Sequence, residues 1–245
     1  MNHYDCTSFL EDLEEFRIQI TEKQKQQFLL YFELLVEWNS FMNLTAITEF
    51  NEVMKKHFVD SVSLVNAFPD LKEKEYTLID VGTGAGFPGI PLKIIFPKLK
   101  VVLLDSLNKR VSFLNEVIDK LELSNIKALH GRAEDFAKRK EYREYFDLCV
   151  SRAVANLATL SEYCIPFVKA NGYFISYKSE KITEEFENAK EAIKVLGGKY
   201  EKQIEFYLPS SDIYRNLFVI QKVKNTPSKF PRKAGLPSKE PIVKK

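Results

Sequence analysis

The sequence has little cysteine and histidine. Its three cysteines, Cys6, Cys149 and Cys164, form no CxxC pair, which excludes a disulfide framework and a zinc finger. The three histidines, His3, His57 and His130, are far apart, so no metal site is expected. No apolar run approaches the roughly 18 residues of a membrane span. The N-terminus, MNHYDCTSFLEDLEEF, lacks the basic stretch and apolar core of a signal peptide. Internal repeats are missing. Charge of one sign is also missing: 36 Lys+Arg against 34 Asp+Glu leave +2, which excludes a histone-like polycation. These absences predict a soluble, cytoplasmic protein of a reducing compartment, with no membrane partner.

What is present is ordinary globular composition, 45% hydrophobic and 29% charged over 245 residues. The even charge conceals an asymmetry. Residues 225–245 carry Lys229, Arg232, Lys233, Lys239, Lys244 and Lys245 against Glu240, a net +5, which leaves −3 on the rest.

Three segments differ in their patterning. Residues 1–70 predict a helical N-terminal extension. Ser8 with Glu11 and Thr21 with Gln24 have capping-box spacing, and Phe28, Phe32, Leu35 and Asn39 share one helix face. A third helix is expected from near Asn51, carrying Met54, Phe58, Val62, Val65 and Phe68 to a stop at Pro69.

Across 71–224, short apolar runs alternate with amphipathic stretches. Strands are expected at 76–81, 100–105, 126–130, 146–150 and 172–178, with helices between them. Two final strands, 201–208 and 216–223, follow without a helix between them. Such alternation predicts a parallel sheet covered on both faces, and the last two strands add one antiparallel hairpin. The fold class is α/β, with the Rossmann-like seven-stranded sheet of the class I S-adenosylmethionine (SAM)-dependent methyltransferases. Residues 225–245 form a basic tail.

The stretch Asp80-Val-Gly82-Thr-Gly84-Ala-Gly86-Phe87-Pro-Gly89 follows the first strand. Gly84–Gly89 fits the dinucleotide pattern GxGxxG, which leaves an NAD-dependent oxidoreductase as an alternative. The charges favour SAM. A pyrophosphate at a helix start wants no adjacent carboxylate. The SAM sulfonium and ammonium are both cationic, so Asp80 attracts them. Asp105, ending the second strand, is placed to accept the ribose hydroxyls. After the third strand, in Gly131-Arg-Ala133-Glu134-Asp135, an acid can accept the adenine amino group, and the Ala133 N–H can meet a ring nitrogen. Arg152, after the fourth strand, is the candidate for aligning cofactor and substrate. Lys178, after the fifth, is a weaker one. His57 reads as a hydrogen-bonded histidine of the extension, and Cys149 and Cys164 read as buried thiols.

The sequence resembles the RsmG (GidB) family over nearly its whole length. The matching segments are 38–48 (WNSFMNLTAIT), 57–61 (HFVDS), 80–91 (DVGTGAGFPGIP), 105–110 (DSLNKR), 132–134 (RAE), 151–153 (SRA) and 229–237 (KFPRKAGLP). The resemblance implies methyl transfer from SAM to guanine N7 in 16S rRNA, as naked RNA or in the small ribosomal subunit. It implies cofactor contacts at Gly82, Phe87, Ala133, Glu134 and Arg152, beside Asp80, Gly84 and Asp105 from the loop chemistry. A guanine N7 carries a lone pair and no proton, so no general base is required. The reactive base must be unpaired or extruded. The tail, with Lys229, Arg232 and Lys233 beside Phe230, is expected to grip RNA and to be removable without loss of a cofactor contact; the alternative is that Phe230 and the prolines pack on the body as a strap, so that truncation lowers stability and SAM binding together. A monomer is expected. A non-catalytic RNA- or nucleotide-binding module on the same fold is the remaining alternative.

Overall fold

The structure, a computed structural model, describes residues 4–243. Lys244 and Lys245 of the basic tail, and His3, lie outside the described residues.

Strands β1 (Thr77–Val81), β2 (Lys100–Asp105), β3 (Ile126–His130), β4 (Phe146–Arg152), β5 (Val168–Lys178), β6 (Gly198–Tyr207) and β7 (Tyr214–Lys222) form one sheet in the order β3-β2-β1-β4-β5-β7-β6. β1 to β5 pair in parallel, and β7 is antiparallel to both β5 and β6. The helices are α1 (Thr7–Glu15), α2 (Glu22–Met42), α3 (Phe50–Val53), α4 (Asp60–Val62), α5 (Gly89–Ile95), α6 (Asn108–Lys120), α7 (Ala133–Phe136), α8 (Leu157–Cys164), α9 (Thr183–Val195) and α10 (Leu236–Lys239).

Period-two alternation splits the strands between two cores. Leu78, Leu103, Val150, Ile175 and Leu217 face α5 and α6, and share that core with Phe9, Phe28, Tyr31 and Phe58 of the extension. Ile79, Val102, Cys149, Phe174 and Phe218 face α8 and α9. The extension is therefore the outer layer of one sheet face. The residues at 27–31 sit where α2 meets α5 and α6: Tyr31 donates to the Ala85 carbonyl in the glycine loop, and Gln27 to Leu121 at 2.7 Å.

The Thr21–Gln24 capping box forms in both directions and starts α2. The Ser8–Glu11 box does not form. Asp5 Oδ1 takes the Thr7 N–H and hydroxyl at 2.9 and 2.6 Å, so the turn begins earlier and Ser8 lies inside α1. The third helix is not uniform either. A π turn, Met54–Val59, separates α3 from α4. β5 starts four residues earlier than its apolar run, because Val168 already pairs with Phe146.

The tail departs furthest from the sequence reading. Thr226, Phe230, Pro231 and Pro237 are buried, and 225–243 strap across α8. Arg143 donates to the carbonyls of Thr226 (2.7 Å) and Phe230 (2.9 Å). Thr226 itself receives the ammonium of the buried Lys222.

Candidate active site

The carboxyl ends of β1, β2 and β4 converge with the first turn of α7, which is where open parallel sheets bind ligands. Asp80 is fully buried at the end of β1. Its Oδ2 accepts from the Thr83 hydroxyl at 2.6 Å and the Gly89 N–H at 2.9 Å, while Oδ1 has no partner. Burial raises its pKa from 3.8 to about 6, against the opposing pull of Thr83, Gly89 and Arg152.

This shift has a sign. The native fold binds the Asp80 proton more tightly than the unfolded chain, so this group's stabilisation is present below pH 4 and lost by pH 6. Ionising it in the ligand-free fold costs about 3 kcal/mol. Asp80→Asn is therefore expected to raise the melting temperature at pH 7.5, with the gain shrinking towards pH 4. Thermal unfolding of both proteins at the two pH values checks this, and an equal difference at both would rule out the ionised carboxylate as its source.

The glycine loop is shaped by what presses on it. Gly82 and Gly86 both have positive φ. A Cβ at 86 would lie 2.5 Å from the Tyr31 hydroxyl, and one at 82 would lie 2.6 Å from Val154, so only glycine fits either place. The Gly84 N–H donates to Asp105 Oδ2 at 2.9 Å, and Leu107 donates to Asp105 Oδ1 at 2.9 Å. Asp105 thus ties the loop to the turn after β2. Glu134, buried in the first turn of α7, accepts from Gly235 of the strap at 2.8 Å.

Arg152 sits at the end of β4. Its Nη1 donates to Asp60 Oδ2 at 3.0 Å and to the Lys56 carbonyl at 3.4 Å, and the guanidinium lies 5.1 Å over the Phe87 ring. Asp60 Oδ1 accepts from Arg215 Nε at 2.9 Å. His57 stacks on Phe87 at 4.6 Å between centroids. A guanidinium can only donate, so His57 Nδ1, 3.4 Å from Arg152 Nη2, is the acceptor. The proton is then on Nε2, which donates to Thr45 Oγ1 at 2.9 Å. Burial, with Arg152 adding to it, lowers the His57 pKa to about 3, so the ring stays neutral.

Lys56, His57, Asp60, Arg152, Lys178 and Arg215 line a cleft of about 410 Å³ beside the loop. That volume falls in the range of small-molecule pockets. A larger groove, about 630 Å³, lies at the opposite end of the strands, by Lys100, Ile126 and Phe146.

The structure brings Asp80, Gly82, Gly84, Phe87, Asp105 and Arg152 together, with Ala133 and Glu134 on the neighbouring turn. His57 and Arg152, 3.4 Å apart, both lie against the Phe87 ring. Lys178 is taken up by Glu185 at 2.6 Å. Cys149 and Cys164 are free and buried, and burial pushes the Cys149 thiol up. Lys229 and Lys233 are exposed on the strap. The side chain of Arg232 turns inwards instead: its Nη2 and Nε reach Glu162 at 2.7 and 3.0 Å, and it is not presented to solvent as a phosphate ligand. Asp60 and Arg215 escaped the sequence reading, and His57 was placed in the extension without its site neighbours. The only signal was 57–61, and nothing near Arg215 marks it.

The unpartnered Oδ1 of Asp80 and the absence of any atom within 4 Å of a Cβ position at Gly84 fit a cationic ligand lying over the loop. Among the described residues no group of three or more His, Cys, Asp or Glu could hold a metal, and no helix is long and apolar enough to cross a membrane.

This strand order, with a glycine loop after β1 and acids ending β1 and β2, defines a class I methyltransferase. TYW2 of P. horikoshii, solved with MeSAdo, shares the fold at a TM-score of 0.52 and 16% identity, over 68% of this chain and 61% of that one. The family described as rRNA small subunit methyltransferase G (GidB) matches residues 24–213. Ribosomal RNA small subunit methyltransferase G of Lachnoclostridium phytofermentans is 54% identical over 98% of this chain and 99% of its own. That of Alkaliphilus metalliredigens is 56% identical over 94% and 95%. The chain belongs to the rRNA small subunit methyltransferase G family.

Proposed function

We propose that this methyltransferase transfers the methyl group of SAM to N7 of a guanine in 16S rRNA, acting in the cytoplasm as a monomer that needs no metal. The observation that carries the reading is a division of charge. Buried Asp80, Asp105 and Glu134 flank the loop, while the adjoining cleft carries four cations, Lys56, Arg152, Lys178 and Arg215, against two carboxylates, Asp60 and Glu180. Such an arrangement suits a cationic cofactor beside a polyanionic substrate. The NAD alternative is disfavoured because Asp80 already takes the Gly89 N–H at the start of α5, the donor a pyrophosphate would need.

SAM, when bound, supplies an electrophilic methyl group. Asp80 and Asp105 would hold its charge and its ribose, and Glu134 its adenine. Arg152, fixed by Asp60 against Phe87, would orient the guanine, and Arg215 and Lys56 would attract the RNA backbone. With no proton to remove from N7, the chain contributes alignment, which supplies up to ~7–11 kcal/mol.

The test is transfer of radiolabelled methyl from SAM to small-subunit RNA, with the modified base mapped. Label at guanine N7 in 16S rRNA is expected; label elsewhere, or none, overturns the reading. Asp105→Ala is expected to weaken SAM binding at least about tenfold, because charge-assisted hydrogen bonds are worth ~1.5–3 kcal/mol each. The fold should survive with a lower melting temperature, since the Gly84 and Leu107 N–H groups lose their acceptor. Calorimetric titration on the folded variant decides it, and an unchanged affinity would leave Asp105 as a turn residue only.

A further inference from the structure

The strap closes on the carboxylate assigned above to the adenine. Gly235 has a φ of +82° and donates its N–H to Glu134 Oε1 at 2.8 Å. Among the described residues Glu134 Oε2 accepts no hydrogen bond. Anchors on both sides of Gly235 fix it. Before it, the Arg232 N–H and guanidinium both bind Glu162, which is itself buried. After it, the Thr159 hydroxyl donates to the Pro237 carbonyl at 3.2 Å. Both Thr159 and Glu162 belong to α8, so the strap is pinned to the body immediately around the residue that meets Glu134.

A glutamate on the first turn of a four-residue helix has three side-chain torsions to fix, and leaving them free costs a ligand binding entropy. One N–H on one oxygen restrains the carboxylate and leaves the other oxygen to the ligand. We infer that residues 230–240 complete the adenine subsite: Gly235 positions Glu134 so that its free oxygen accepts the cofactor's 6-amino group, and strap docking is thereby coupled to cofactor affinity. This rests on the assignment of Glu134 to the adenine. The coupling is reciprocal, so a bound cofactor also holds the strap down.

The probes are S-adenosylhomocysteine and its 6-deamino analogue, in which hydrogen replaces the amino group. The full-length protein is expected to prefer the amino form by about tenfold, the worth of one hydrogen bond to a charged group. A chain ending at Ala234 keeps Phe230 and the Arg232–Glu162 pair but lacks Gly235. Its preference is expected to shrink to about threefold or less, with the deamino analogue binding as before. A merely structural strap would weaken both ligands together, and that outcome overturns the inference, as does a preference that survives truncation.

Thr159→Val is the second variant should the shortened chain fail to fold. It removes one anchor from the body side and should narrow the same gap. Glu134→Gln separates the two levels. If it leaves S-adenosylhomocysteine binding unchanged, the adenine assignment itself falls. If it weakens binding while the strap variants keep the full preference, only the coupling falls. In the intact chain, S-adenosylhomocysteine should also slow tryptic cleavage at the exposed Lys233 and Lys239; unaltered cleavage counts against the coupling.

Discussion

An Arg152→Ala enzyme is expected to lose about two orders of magnitude in methyl-transfer rate, the penalty of a misplaced reacting pair. Its stability should fall too, but not far enough to unfold it. Asp60 would still hold Arg215 at 2.9 Å, so removing Arg152 does not strand a buried carboxylate. The remaining loss is about one hydrogen bond to a charged group, ~1.5–3 kcal/mol. For a chain of this length that lowers the melting temperature by roughly 3–12 °C. Lysine should rescue poorly. The guanidinium meets Asp60, His57 and the Lys56 carbonyl while covering the Phe87 ring, and one ammonium cannot reproduce that planar set. Single-turnover rates on saturating RNA, beside thermal unfolding, distinguish the effects. Wild-type turnover in a folded Arg152→Ala protein would show that the arginine only neutralises Asp60.

Much of this site was legible because strand–helix alternation forces it. Once β1, β2 and β4 are recognised as parallel strands, Asp80, Asp105 and Arg152 must lie along one edge, since each is the last or next-to-last residue of its strand. The glycine spacing then says what lies over them. The Asp60–Arg152–Arg215 triangle was not legible for the converse reason. Its members come from the helical extension, the parallel half of the sheet and the antiparallel strand, separated by 92 and 155 positions. No local pattern encodes such a meeting; it depends on the π turn at 54–59 lying against the sheet edge. Helix starts show the same limit at short range. Thr21 and Gln24 cap each other as their spacing says, whereas at Ser8 an earlier acceptor, Asp5, captures the turn first.

Composition favours an RNA grip at the tail over a packed strap of Phe230 and the prolines, and the structure shows the strap. Counting charge assigns +5 to 225–245, but it does not reveal that Arg232 has a buried glutamate waiting 70 positions earlier or that Phe230 joins the core on the α8 and α9 face of the sheet. Proline and lysine make a segment read as solvated, and here Pro231 and Pro237 are buried in a strap whose lysines face outwards. The exposed Lys229 and Lys233 remain candidates for RNA contact.

Truncation after Val223 is accordingly expected to cripple the protein as a whole. It strips Phe230 from the core, worth ~1.5–3 kcal/mol of apolar burial. It also takes from Glu162 the arginine that binds both its oxygens, and a hydrogen-bonded charge pair of this kind is worth ~1.5–3 kcal/mol. The Thr226 hydroxyl also goes from Lys222, which would keep Glu144 and the Ile165 carbonyl. These losses approach the ~5–15 kcal/mol that hold a whole domain together. The melting temperature should fall by more than ~10 °C, and SAM binding should decline with it. A truncated protein that melts with the intact one, binds SAM normally and differs only in the salt dependence of its RNA affinity would show the strap to be a solvated RNA-binding tail after all.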